Sequence, residues 1–181
     1  MDFLFDRFYE KYHHDIYNFV FYMVKNKTVT EDLVQEIFIR IYHSYHRFRG
    51  ESSEKTWAFS IARHVVYDYF RREKRKKKFT NKTVGWDEMH NIVPTDEKLP
   101  DEIIIQDEEV QLMYRLLDEL NLNQKQVIVL RFVHGYSIKE TAELLHLTTS
   151  NVKTLQHRGI KKLKSLLEAR KGKGGMENAS N

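Results

Sequence analysis

Ser137-Ile138-Lys139-Glu140, then Thr141 to Thr148, then Thr149-Ser150-Asn151-Val152-Lys153-Thr154-Leu155-Gln156-His157-Arg158-Gly159, is the stretch whose reading decides the fold. A hydroxyl at the N-cap and a carboxylate three residues on form a capping box, so Ser137 and Glu140 open a helix. Ala142, Leu144 and Leu145 lie on its inner side. Thr148 is a second N-cap a few residues later, which makes the turn at His146-Leu147 tight. From Thr149, at about 100° per residue, Val152, Leu155, Gly159, Leu163 and Leu166 share one arc. Lys153, Thr154, His157 and Arg158 share the opposite one. A short helix, a tight turn and a longer helix with a cationic outer face make a helix-turn-helix whose second helix suits a major groove. The alternative is an ordinary helical hairpin with a solvated face, and the rest of the chain has to separate the two.

Working outward, 181 residues suffice for one ordinary domain or two small ones. Hydrophobic residues make up 41% and aromatics 13%, so the chain can bury a core. It contains no cysteine, which removes disulfide scaffolds, thiol catalysis and the usual zinc fingers and suits a reducing cytoplasm. Acids occupy the N-terminus where a signal peptide is basic, and no run approaches the roughly 18 apolar residues of a membrane span. A soluble, cytoplasmic protein is expected.

Charge is unevenly spread. Residues 1–78 hold sixteen Lys and Arg against eleven acids, 79–110 hold two against nine, and 111–181 hold twelve against six. Two basic blocks flank an acidic strip, a pattern of two anion-binding modules on a linker.

Residues 2 to about 25 carry Phe5, Phe8, Tyr12, Ile16, Phe19, Val20 and Met23 at helical spacing. Asn26-Lys27 breaks that helix, and Thr28 with Glu31 predicts the cap of the next, whose inner row is Leu33, Ile37 and Ile41. Gly50 supplies a left-handed stop, and Ser52 or Ser53 caps a third helix with Trp57, Ile61, Val65 and Tyr69 in a row. It runs out through a basic tail, Lys74 to Lys78. Periodicity then stops over some 30 residues that contain Trp86, Pro94, Pro100 and Ile103-Ile104-Ile105. A helix over about 107–120 follows, then one opened by Asn123 with Gln126, which carries Val127, Leu130 and Val133. The chain reads as all-α, in two small helical domains joined by an acidic, flexible linker.

Glu31-Asp32-Leu33-Val34-Gln35-Glu36-Ile37-Phe38, Phe48-Arg49-Gly50-Glu51-Ser52-Ser53, Thr56-Trp57 and Ile61-Ala62-Arg63 resemble domain 2 of the extracytoplasmic-function (ECF) sigma factors, bacterial initiation factors of the sigma-70 family. The segment from Leu120 to Leu163, with Gln126-Val127-Ile128 and Leu130-Arg131, resembles their domain 4. The resemblance implies domain 2 over 1–78, a linker over 79–106, domain 4 over 107–170 and a disordered tail over 171–181. It implies binding to core RNA polymerase through the β′ clamp coiled coil and the β flap, with Asp32, Gln35, Glu36 and Phe38 on the clamp side. It further implies recognition and melting of promoter DNA, and a membrane-anchored anti-sigma partner. The linker would thread the polymerase's RNA exit path.

For the −10 element the resemblance assigns Phe48, Arg49, Gly50, Ser52 and Ser53 to a loop that holds an extruded base. Arg63, His64, Tyr67, Arg71 and Arg72 would follow the strand along the third helix. For the −35 element it assigns Lys153, Thr154, His157 and Arg158 to base edges and Ser150, Asn151, Arg131 and Lys161 to the backbone. Trp57, by its spacing, reads as core. Several positions depart from the usual pattern: His64 stands where Asn is common, His146 where a turn glycine is common, Leu155 where Arg is frequent, and Asn121-Leu122 in place of the common Leu-Pro. Histidine tolerates positive φ better than β-branched residues, so the turn is expected to survive.

No nucleophile–base pair, phosphate-binding glycine loop or complete metal-ligand set is apparent, so neither enzyme nor cofactor is expected. Two rivals remain. A helix-turn-helix repressor or activator acting without polymerase would leave the 31–38 motif unexplained. A recombinase would need a nucleophile with clustered arginines, and the tyrosines sit mostly at packing spacing.

Overall fold

The structure, a computed structural model, describes residues 3–80 and 108–177, with side chains over 5–76 and 111–170. The expected linker, including Trp86 and Ile103 to Ile105, lies almost wholly outside these residues. Every regular element among them is helical.

The first helix, α1 (Phe3–Val24), buries Phe8, Tyr12, Ile16, Phe19, Val20 and Met23, the stripe its spacing predicts. It stops at Lys25, which takes a left-handed φ of 52° while its N–H still donates to the Phe21 carbonyl at 2.8 Å. The next helix, α2 (Lys27–Ser44), is capped by Asn26, whose Oδ1 accepts from the Val29 N–H at 2.8 Å. The cap expected at Thr28 is therefore displaced by two residues, and Glu31 and Asp32 sit beyond the first turn. Leu33, Val34, Ile37, Phe38 and Ile41 are its buried face. A tight turn at Tyr45–Arg47 closes it, and Gly50 (φ +72°) turns the following loop instead of ending the helix. Ser53 caps α3 (Glu54–Thr80) by accepting from the Thr56 N–H at 3.0 Å. The small Ala58 and Ala62 let α3 close on α1 and α2 around Phe19, Phe59 and Val65. Each fully buried aromatic there contributes about 1.5–3 kcal/mol.

In the second half, α4 (Glu108–Leu116) ends in a tight turn at Leu117–Glu119. The cap of α5 (Leu122–Ile128) is Asn121 in a full capping box with Gln124, two residues before the expected Asn123–Gln126 pair. Gln126 is unavailable as a cap because it is buried. The helix widens into a π turn over Val129–Val133, which swings Phe132 and Val133 outward. Helices α6 (Ile138–Leu145) and α7 (Thr149–Glu177) form the helix-turn-helix. The last of these runs past residue 170, where the tail was expected to begin.

The halves are docked. Helix α6 lies on α3, and α5 meets α1. The buried apolar side chains of both form one connected core.

Candidate functional site

The helix-turn-helix is built as its capping residues dictate. Ser137 Oγ accepts from the Glu140 N–H at 3.1 Å, and the Glu140 carboxylate accepts from the Ser137 N–H at 2.7 Å. The hydrogen bonds with Ser137 hold the Glu140 carboxyl below its ordinary pKa. His146 adopts φ 52° at the turn and its N–H closes on the Glu143 carbonyl. Thr148 Oγ1 then caps α7 through the Asn151 N–H at 3.1 Å. Gly159 lies against α5: a β-carbon there would stand 3.1 Å from Ile128 Cγ1. That close seat fixes the rotation of α7, with Val152 and Leu163 buried and Ser150, Asn151, Lys153, Thr154, His157, Arg158 and Lys161 all exposed.

Arg131 corrects the expectation. It is half-buried; its Nε donates to Gln156 Oε1 at 3.0 Å and its Nη1 to the Tyr136 carbonyl. Its guanidinium ties the π turn to α7 and is occupied inside the half rather than turned toward a phosphate.

On α2, Asp32 and Gln35 are exposed. Glu36 is partly covered, 2.5 Å from Arg40 and 3.7 Å from Arg72. Phe38 is a second correction: it is 5% exposed and lies against the rings of Tyr9 and His13. It forms the floor of a groove of about 750 Å³ between α1 and α2, with Tyr9, Ile39 and Tyr42 at its exposed wall. The apolar wall was not legible from spacing, because Ile39 and Tyr42 fall off the inner row.

The loop before α3 encloses a cleft of about 210 Å³ lined by Arg47, Phe48, Arg49, Glu51, Ser52 and Trp57. Trp57 is half-buried; it packs on Phe8 and Tyr45 yet also stands 5.1 Å from the Phe48 ring across the cleft. An aromatic face, arginines and a hydroxyl around a small opening suit one unstacked base. The spacing identified Trp57 as core, and it is both core and wall. Ser53 is occupied by the cap, so Ser52 is the more available hydroxyl.

Further along α3, Arg63 lies over the Tyr67 ring at 4.8 Å. Arg71 and Arg72 are over half exposed and loosely paired, 3.6 Å from Asp68 and 3.7 Å from Glu36. Such surface pairs contribute little and release their cations easily. His64 and Tyr67 differ from these: the His64 ring faces His146 at 6.3 Å, and Tyr67 Oη donates to Asn123 Oδ1. Both belong to the seam between the halves.

No local pattern in the sequence marks that seam. His134 sits between Phe19 and Phe59, at 6.1 and 5.3 Å, and burial pushes its pKa down to about 4. Lys25 and Lys125 share the Asp118 carboxylate, each at 2.8 Å. Lys25 also donates to the Tyr114 carbonyl and Lys125 to that of Met23 at 3.1 Å. Two ammonium groups thus meet one carboxylate and the carbonyl ends of α1 and α4, whose dipoles supply the missing negative charge. Desolvation is the main reason Lys25 falls to about 8, with Lys125 beside it adding to the fall. Among the described residues no cluster of His, Asp and Glu could hold a metal, and no helix is long and apolar enough to cross a membrane.

Residues 8–76 match the Sigma-70 region 2 family and residues 111–163 the Sigma-70, region 4 family. The ECF RNA polymerase sigma factor SigX of Bacillus subtilis is 48% identical over 168 residues, covering 93% of this chain and 86% of that protein. The ECF factor SigM of the same organism is 28% identical over 161 residues, 89% and 93% of the two chains. Among solved structures, the sigma factor RpoE in complex with the anti-sigma factor NepR from Bartonella quintana superposes with a TM-score of 0.70. That match has 22% identity and covers 91% of this chain and 96% of that one.

Proposed function

The chain belongs to the ECF sigma factors of the sigma-70 family, and on that premise we propose how its surfaces divide the work. Residues 1–78 act as domain 2, 107–170 as domain 4 and 79–106 as the linker. Asp32 and Gln35, with Glu36 and the groove floored by Phe38, receive the β′ clamp coiled coil. An acid and an amide beside an apolar groove suit a basic, amphipathic helical partner.

The cleft of Arg49, Ser52 and Trp57 captures one base of the −10 element, with Phe48 as its aromatic support and Gly50 and Ser53 shaping the loop. Arg63, His64, Tyr67, Arg71 and Arg72 follow the strand. Unstacking a base costs a few kcal/mol, which stacking and hydrogen bonds in the cleft offset. Lys153, Thr154, His157 and Arg158 read the −35 element, with Ser150, Asn151 and Lys161 on phosphate. Arg131 serves by holding α7 in place. The factor works in the cytoplasm by binding alone, without chemistry of its own, and an anti-sigma factor holds it in check.

One observation carries this reading: an exposed acid-and-amide face on α2 and an exposed cationic face on α7 occur in one chain of this family. A repressor acting without polymerase has no use for the first. The test is co-purification with core polymerase. Asp32→Arg with Gln35→Ala should keep the circular dichroism of the parent and lose binding. Undiminished binding by the folded double variant would remove the proposal.

A further inference from the structure

Glu54 opens α3, and its side chain reaches two other elements. Its Oε2 accepts from the Tyr12 hydroxyl at 3.2 Å and from Lys11 Nζ at 3.4 Å, both on α1. Its Oε1 accepts at 3.2 Å from the hydroxyl of Tyr45, in the turn that closes α2. One carboxylate thus joins three elements beside the base cleft. Tyr12 is buried, and its ring packs on Phe8 at 4.7 Å. The rings of Phe8 and Tyr45 stand 5.4 Å apart, and they pack on Trp57 at 6.1 and 6.0 Å. Trp57 follows Glu54 by three residues, on the same face of α3. The Phe48 ring lies 5.1 Å from it across the cleft.

A carboxylate in the first turn of a helix has an ordinary explanation, the positive end of the helix dipole. That accounts for a charge at this position but not for the reach to two tyrosine hydroxyls on other elements. The sign of the charge also opposes the proposed use, because a carboxylate beside a cleft for a polyanion repels it. What Glu54 supplies is acceptor capacity: both tyrosines donate at once, one to each oxygen. Neither ring can swing away without losing a hydrogen bond.

We propose that Glu54 is a positioning residue for base capture: through Tyr12 and Tyr45 it holds the rings that support Trp57, and so keeps the indole wall of the cleft in place. The role in capture rests on the proposed reading of the cleft, whereas the tie between Glu54 and Trp57 does not.

Two substitutions separate positioning from the helix dipole. Glu54→Gln removes the charge and keeps the reach. Glu54→Asp keeps the charge but is shorter by one methylene, so it lets go of the tyrosines. Positioning requires the Gln variant to behave as the parent and the Asp variant to fail; the dipole requires the reverse. The chain has two tryptophans, so fluorotryptophan in a full-length chain carrying Trp86→Phe reports Trp57 alone by fluorine NMR. One narrow resonance is expected in the parent and in Glu54→Gln. In Glu54→Asp it should broaden or double, with helix content unchanged. A parent-like resonance in Glu54→Asp would overturn the tie.

Capture is read with the chain bound to core polymerase. The probe is a single-stranded oligonucleotide carrying the −10 region of a promoter that this holoenzyme uses, with each base replaced in turn by an abasic sugar. Removing the captured base should weaken parent binding about tenfold at one position. That penalty should persist in Glu54→Gln and shrink toward parity in Glu54→Asp, while the penalties at other positions stay. The full penalty in Glu54→Asp would overturn the positioning role. If no position stands out in the parent, the reading of the cleft fails and the role in capture fails with it. The Trp57 resonance needs neither DNA nor polymerase, so it tells that failure from failure of the tie.

Discussion

The outer face of α7 and the seam between the two halves are both lined with polar side chains, and they behave oppositely. On α7 the cations point to water, supported from behind by caps and by the seat of Gly159 on Ile128. In the seam the cations are buried: Lys25 and Lys125 are 7% and 6% exposed and share one carboxylate. A solvated cation costs little to present and is ready for a phosphate or a base. A buried one is stable only while all its partners stay. One surface faces water, and the other holds the two halves together.

The largest effect should come from removing the shared carboxylate. Asp118→Ala leaves two buried ammonium groups facing each other, and breaking a buried pair from one side costs about 3–5 kcal/mol. Thermal unfolding should register it as a clear drop in Tm. A drop no greater than that of a surface acid would mean the lysines reach water and the seam is not the low-dielectric contact described.

Acid should act on the same seam through His134. Its pKa is near 4 when docked and near 6.5 when exposed, so the undocked form binds more protons between those values. Stability of the docked form is flat above pH 6.5 and falls as pH drops from there toward 4. Burial dominates; Asp15 opposes it, while Lys55 and His14 add to it. The loss is about 3 kcal/mol at most, and it cannot exceed the cost of opening the seam. Thermal unfolding recorded against pH should therefore show Tm falling in this window, and His134→Phe should flatten the dependence.

On α7 the expected changes are in recognition rather than stability. Arg158→Ala should weaken transcription from the cognate promoter by about 1–3 kcal/mol, roughly 5- to 150-fold, and lose preference at one −35 position. Lys161→Ala should weaken all promoters alike and lower the salt slope by about one unit. If Arg158 behaves as Lys161 does, specificity lies with Lys153, Thr154 and His157 or with DNA shape.

The smallest effect sharpens the comparison from the local side. Ser137→Ala removes half of the capping box and should cost about 1 kcal/mol by denaturant unfolding, with the pH dependence of stability unchanged. A change in that dependence would tie the two surfaces together.

The difference between the regions also explains what could be read from sequence. Ser137, Glu140, His146, Thr148 and Gly159 act on neighbours a few residues away or on a helix face of fixed period, and each does what its spacing predicts. The two displaced caps were ambiguous locally: Asn121-x-x-Gln124 and Asn123-x-x-Gln126 are the same pattern shifted by two, and only packing, which buries Gln126, chooses between them. At Lys25 the choice falls to backbone, since a left-handed residue there lets Asn26 cap before Thr28 can. The seam was illegible for a stronger reason. Lys25 and Asp118 are 93 residues apart, and nothing local distinguishes their charges from solvated ones. Phe38 and Arg131 turn inward although their motif positions point outward, because motif position says nothing about which way a side chain turns once its neighbours are in place.

Reconstituted transcription tests the central claim most directly. With core polymerase and a library of promoter fragments, the parent chain should direct initiation from a defined subset. The folded Asp32→Arg, Gln35→Ala variant should direct none, although its α7 surface is intact. Tight, sequence-specific duplex binding by the free chain, with no polymerase-dependent initiation, would contradict the account.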